Sequence, residues 1–445
     1  MQVDGISTYS DGSIRQAVVS VAAPADLAAG GALDLMLGRG PAAASGGMVD
    51  PVGRVLDNHY DLAVNLDLHN ADGSISHLAV NAADAMRQAL SDGKVDLWMK
   101  GPLATEMRVS AHLNDQLTAT FDIRVHANGE IRTDVSVHYD WAYDTPMRNV
   151  TYDLAVTQGG QAVLSETNLS HNHHANWHTQ VWSNGQPGVN VVHDPAYLEK
   201  SGAVPAYDLA QSLNAGPTIR MAGEVAAGTA DVGPMGHAYV QEYMPMTGER
   251  ADIGVLPTWA AQAVLQQTAQ AQSVLFANAD AAGAVPWHFR SEATGRMTTL
   301  DEHPRLWIEA RGNNGRYGDD ALTQGYETKV STGWTPDTAH APALTSLAYL
   351  LSGDRYYLNE LQSQANYAML SVDPDHRGNA GGLLEGQQLR GEAWSLRSLG
   401  DAAALTPDTD TFKGYFGEKL DNNLSHYVQS LIVERQMAAT GQLEG

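Results

Sequence analysis

The sequence contains no cysteine. Disulfides, thiolate metal sites and a cysteine nucleophile are therefore excluded, and the redox compartment stays open. Basic residues are scarce: 26 Lys and Arg stand against 51 Asp and Glu, a formal net charge of −25. That argues against non-specific nucleic-acid binding, which needs cations to displace counterions from phosphates. It also weighs against an anionic substrate unless Arg, His or a metal reverses the field locally. No apolar run approaches eighteen residues, so no membrane span is expected. The opening MQVDGISTYSDGSIRQ lacks a basic patch followed by an apolar core, so no signal peptide is read there. Neither a GxSxG nucleophile elbow nor a GxxxxGK[ST] phosphate loop occurs. GRGPAAASGG (38–47) has glycine spacing but no strand–loop–helix context for a dinucleotide, and reads as a loop.

What is present suits a folded chain. Hydrophobic residues make up 43% and charged residues 17% of 445 positions, enough for two or three domains. Residues 10–225 alternate apolar and polar positions between turn residues. DLAVNLDLHNADGSISHLAVNA turns at Asn70–Gly73, TATFDIRVHANGEIRTDVSVHYDW at Asn128-Gly129, and NVTYDLAVTQGGQAVLSETNL at Gly159-Gly160. The pattern predicts about a dozen antiparallel strands, as a sandwich or a barrel plus sandwich, with one short helix near NAADAMRQALSDG. From 253 the periodicity becomes helical. Helices are expected over LPTWAAQAVLQQTAQAQSVLFANADAAG, over 338–352 ending at Gly353, over DRYYLNELQSQANYAML behind an Asp354 cap, over GQQLRGEAWSLRSLGDAAAL stopped by Pro407, and over TFKGYFGEKLDNNLSHYVQSLIVERQMAATG. Residues 284–333 are Gly-rich and irregular, as cleft-lining loops are. The expected organisation is α+β and multidomain: a β region at 1–225, a linker and cleft loop at 226–252, and a helical domain at 253–445.

Several stretches carry a resemblance. AHAPALTSLAYLLSGDRYYLNELQSQANYAML (339–370) resembles the helical hairpin of the (α/α) toroid carbohydrate-active enzymes. SDGSIRQAVVSV (10–21) resembles a strand of the β-barrel that opens the fungal exo-rhamnogalacturonan lyase-like group. HHANWHTQVW, GERADIGVLPTW, WTPDTAHAP and LRGEAWSLRSL then follow in the order of its bacterial and phage-encoded relatives. The resemblance implies an N-terminal β domain, a toroid and a polysaccharide substrate. Five or six helices supply about half a ring, since a hairpin takes roughly 30–45 residues. A partial toroid leaves an apolar face that favours a homo-oligomer or a virion assembly. An extracellular or virion-associated location would follow.

Five groups of side chains look chemical, and each has a plainer reading. Asp337 and His340 lie one helical turn apart, so an acid could tune a base, with Trp334 as a sugar-stacking platform; the plain reading is helix capping. SHNHHANWHTQVW packs His171, His173, His174 and His178 into eight positions. A metal site is the lesser reading there, because no HExxH arrangement follows. A polar strand lining a cleft is the greater one, and the resemblance points to His174 and Trp177. GPMGHAYVQEYMPMTGERADIG (233–254) offers His237, Tyr239, Glu242, Tyr243, Arg250 and Asp252, or merely a charged linker. PWHFR offers His288 and Arg290. QLRGEAWSLRSL presents Arg390, Glu392, Trp394 and Arg397 on a helix, where ion pairing or cation–π packing would also account for them.

Three functions fit these groups. A lyase acting on a uronate by β-elimination would take His340 or His237 as base, Tyr239 as acid and Arg250 or Arg390 to neutralise the carboxylate, a role a divalent cation such as Ca²⁺ could share. A glycoside hydrolase would need two of Asp252, Asp337 and Glu392 across the scissile bond. A non-catalytic glycan-binding or virion protein would keep the fold without turnover.

Overall fold

The computed structural model describes the chain except residues 25–26, 29, 37, 39–46, 58–59, 144–147, 309–320, 323–330, 386–387 and 434–445. Most of the GRGPAAASGG segment, much of 284–333 and the end of the last expected helix lie outside the described residues. The chain is α+β and divides into two compact units. The first holds residues 1–136, 153–167 and 179–188; the second holds 137–152, 168–178 and 189–445.

Eleven strands precede the helical part among the described residues: β1 (Gln2–Thr8), β2 (Ile14–Ser20), β3 (Leu62–His69), β4 (Ile75–Asn81), β5 (Asp96–Lys100), β6 (Ala104–His112), β7 (Thr118–His126), β8 (Ile131–Tyr139), β9 (Val150–Gln158), β10 (Gln161–His171) and β11 (Ala175–Trp182). They form a β1-β2 ribbon, a sheet ordered β10-β9-β3-β4 and a sheet ordered β11-β8-β7-β6-β5. The turns are those the sequence marks: Gly73, Gly129, Gly159 and Gly160 all have positive φ, where glycine avoids a Cβ clash. Among the described residues neither large sheet closes on itself, so of the expected barrel and sandwich the closed barrel is not formed and the strands make open antiparallel sheets. The helix α1 (Ala82–Ser91) sits where one was read, capped by Asn81, whose side chain accepts from Ala83 N–H.

In the first unit, β7 shows what alternation hides. Ala119, Phe121, Ile123 and Val125 form one buried apolar face. Thr118, Thr120, Asp122 and Arg124 form the other, and they are buried too. Register sets Arg124 opposite Glu106 and Asp122 opposite Arg108 on β6. Arg108 Nη2 reaches Asp122 Oδ2 at 2.6 Å, Arg124 pairs with Glu106, and Arg132 Nη2 reaches Asp134 Oδ2 at 2.7 Å. A polar face survives burial here because each charge has a partner.

The antiparallel β region ends at Trp182, well before 225. Two helices follow in the second unit, α2 (Pro195–Ser201) and α3 (Gly216–Ala226), each opened by a proline in its first turn. The long helix expected after 253 is two, α4 (Thr258–Gln266) and α5 (Ala269–Asp280). Gln267 breaks it in the left-handed region, and Thr268 caps α5 by accepting from Ala271 N–H. The helix expected over 338–352 is a 3₁₀ turn at Thr338–His340 and then α6 (Ser346–Ser352). Pro342 is the cause: it lacks an N–H and forces Ala341 to extended geometry, φ −72° and ψ 124°. Helices α7 (Arg355–Leu370) and α8 (Leu389–Leu405) match their sequence bounds closely, and α9 (Lys413–Tyr427) follows. Two apolar clusters hold this unit: one around Trp259, Val264, Leu275, Trp287 and Leu347, another around Phe289, Leu361, Met369, Leu399 and Phe416. Each large side chain so buried contributes about 1.5–3 kcal/mol. No helix among the described residues is long and apolar enough to cross a membrane.

Candidate functional site

Both groups of interest lie in the second unit. The first is built on the 3₁₀ turn. Asp337 caps it, its Oδ1 accepting from Ala339 N–H, while its Oδ2 bonds Nδ1 of His340. A carboxylate can only accept, so Nδ1 carries the proton. On the other side of the ring, Nη2 of Arg390 lies 2.5 Å from His340 Nε2. A guanidinium can only donate, so Nε2 presents its lone pair to Arg390. The result is an Asp337–His340–Arg390 chain with a fixed tautomer. The Asp337 side chain is 25% exposed and that of His340 9%, so the chain lies at the edge of the solvent.

Arg250 braces this turn rather than opening onto it. Its Nε bonds Asp252 Oδ1 at 2.9 Å, Nη1 bonds Met244 O at 3.0 Å and Nη2 bonds His340 O at 3.1 Å. Arg397 does the same from α8, bonding Gly254 O at 2.6 Å and Ala341 O at 3.0 Å. Its guanidinium also stacks over Trp394 at 4.9 Å, and burial lowers its pKa to about 10. Glu392 accepts from the Tyr427 hydroxyl at 3.4 Å.

Other expected partners are elsewhere. The Tyr239 hydroxyl donates to Glu224 Oε2 at 2.6 Å; burial and that carboxylate push it up to about 12, which makes it a poor acid. His237 pairs with Asp231 at 3.4 Å. Trp334 is no exposed platform: it is 7% exposed and packs in the Trp259–Leu347 cluster.

The second group is a buried network containing His174, Trp177, His288 and Arg290, expected as cleft residues. Trp177 Nε1 donates to the Tyr152 hydroxyl at 2.7 Å, which donates to His171 Nδ1 at 2.8 Å; His171 Nε2 donates to Ala175 O at 3.1 Å. His173 and His174 face each other through Nδ1 at 2.8 Å, and His174 Nε2 donates to Trp141 O at 3.1 Å. His174 therefore accepts at Nδ1, and His173 donates. Burial pushes His171 and His173 down to about 4 and His174 to about 3, so all three are neutral. His174 holds this arrangement at a positive φ of 57°.

His288 is the charged exception. Its Nδ1 donates to His174 O at 3.1 Å and its Nε2 meets Glu360 Oε2 at 2.6 Å. Burial favours the neutral ring, but the Glu360 carboxylate raises the pKa above the ordinary histidine value. Asn176 Nδ2 donates to the other Glu360 oxygen at 2.9 Å. Arg290 Nε bonds Asp140 Oδ1 at 2.6 Å and stacks over Trp141 at 4.5 Å. Burial opposes ionisation of Asp140, yet Arg290 and His138 hold its carboxyl well below the usual range.

Sequence reading missed Tyr152, His138, Asp140 and Glu360. His138 near the end of β8 and Asp140 just past it, two residues apart, left a local signal. Tyr152 and Glu360 left none, because their partners lie 19 and 72 residues away. Among the described residues no group of three or more His, Asp or Glu is placed to hold a metal ion. A groove of about 540 Å³ is lined by residues including Asp194, Leu209, Leu213 and Leu265, and by none of the candidate residues. Compared with protein families, curated proteins and solved structures, the chain matches none.

Proposed function

We propose that this is a carbohydrate-active protein of the polysaccharide-lyase type, cleaving a uronate-containing glycan by β-elimination at His340. What supports the reading is the Asp337–His340–Arg390 chain. Elimination needs a base beside the C5 proton and a cation at the C6 carboxylate. His340 offers a lone pair at Nε2, with the opposite nitrogen held by Asp337. Arg390 offers the cation, because three of the five N–H donors of Arg250 are already spent on Asp252, Met244 and His340. In the step, Nε2 takes the C5 proton and the C5–H pair forms the C4=C5 bond. The C4–O bond breaks, and the imidazolium returns its proton to the leaving oxygen. Tyr239, held by Glu224, takes no part.

One observation favours a non-catalytic glycan-binding or virion role instead. Both ring nitrogens of His340 are already engaged, so the chain also works as a clamp between the 3₁₀ turn and α8. A hydrolase is less supported, since Asp252 is 3% exposed and bound to Arg250.

The test is a panel of acidic and neutral polysaccharides, followed by ultraviolet absorbance of unsaturated uronate and by new reducing ends. Absorbance that falls roughly 10²–10⁴-fold in His340→Ala supports the lyase. Reducing ends without absorbance support the hydrolase, and silence on every glycan supports the non-catalytic role.

A further inference from the structure

We infer that Gly248 and Arg390 together set the carboxylate selectivity of the His340 site, with Arg390 capping the base until an anion draws it away. This rests on the reading of the site given above. The guanidinium is permanently charged, so at 2.5 Å it occupies the lone pair that would take a proton. A carboxylate competes well for it. Two oxygens in the plane of the fork form charge-assisted bonds stronger than one N–H bond to a neutral ring. A neutral hexose has no comparable group, and leaves the cap in place.

Gly248 makes room for this arrangement. A Cβ there would lie 2.1 Å from Arg390 Nη1. The glycine is required for space and not for its backbone angles. The obstacle is the end of a flexible side chain, so alanine displaces the guanidinium and leaves the loop where it is. Gly248 is thus a positioning residue, acting on His340 only through Arg390.

Diethyl pyrocarbonate acylates an uncapped, unprotonated imidazole nitrogen, and peptide mass mapping reads His340 directly without turnover. Calorimetry with galacturonate and with galactose reads selectivity. His340 is expected to react about tenfold faster in Arg390→Ala and Gly248→Ala than in the wild type. The wild type is expected to bind galacturonate about tenfold more tightly than galactose, and both variants to lose that preference. Adding Arg390→Lys to Gly248→Ala should restore it, because the lysine lacks the nitrogen that meets the new Cβ. Circular dichroism checks folding; if Gly248→Ala fails to fold, Arg390→Ala and Arg390→Lys carry the test. Equal acylation in the wild type and Arg390→Ala overturns the cap. No galacturonate preference in the wild type, or one that survives Arg390→Ala, overturns the selectivity. A capped His340 that binds galacturonate in a protein with no lyase product sinks the lyase reading and leaves this one standing.

Discussion

Nε2 of His288 and Oε2 of Glu360 lie 2.6 Å apart, with side chains 4% and 2% exposed. One is on the segment after α5 and the other on α7. The pair is the charged centre of the buried network, and both side chains are held through their other polar atom: His288 Nδ1 by the carbonyl of His174, Glu360 Oε1 by Asn176.

Glu360→Gln should therefore destabilise the second unit by about 3 kcal/mol at pH 6. The folded pKa of His288 lies above the roughly 6.5 of an unfolded chain, so folding takes up a proton. The stabilisation is full below about pH 6.5 and is lost as pH rises through the folded value. Urea unfolding at pH 6 and pH 9 should show the gap between wild type and variant narrowing at the higher pH. An unchanged gap would remove the charge from the account.

The three neutral histidines act with the opposite sign. His171, His173 and His174 have folded values near 4, 4 and 3, below that of the unfolded chain. Their contribution is present above about pH 6.5 and lost as pH falls towards those values. Each should cost on the order of 1 kcal/mol per pH unit through that window. Unfolding free energies measured from pH 7 to pH 4.5 should fall, and His173→Gln should shallow the slope by about one proton.

In the first unit, Arg124→Met strands a carboxyl. Burial pushes Glu106 up to about 7, with Arg124 opposing. The single change should cost about 3–5 kcal/mol, and Glu106→Leu with Arg124→Met far less, because the double variant buries no unpaired group. Equal losses in chemical denaturation would show that the pair is not what matters there.

Gly283→Ala should cost about 1–3 kcal/mol by overpacking. A Cβ at that position would stand 2.4 Å from Asn176 Oδ1 and 2.7 Å from Asn176 O. The second contact is with backbone and cannot swing away. A thermal melt of the variant checks it, and an unchanged melting temperature would mean that the chain yields at Asn176.

Local signals reached a good part of the fold. Gly73, Gly129 and Gly159-Gly160 marked hairpins because only glycine takes those angles cheaply. Helices α7 and α8 were legible because Gly353 closes the helix before α7 and Pro407 follows the end of α8. Pro342 was in plain view, and its effect on Ala341 was the available signal for splitting 338–352. The Asp337–His340 contact was readable from its spacing of three. The Arg390 partner was not, since 50 residues separate it from His340.

The sequence by itself determined the absence of cysteine chemistry, the acidic balance, the turns and the longer helices. Each follows from composition or from interactions within a few residues. Only the tertiary structure decided that Trp334 is core, that the polar face of β7 is buried, that three histidines are neutral and that His288 is charged. Those outcomes depend on which distant group meets each side chain and on how much water is left around it.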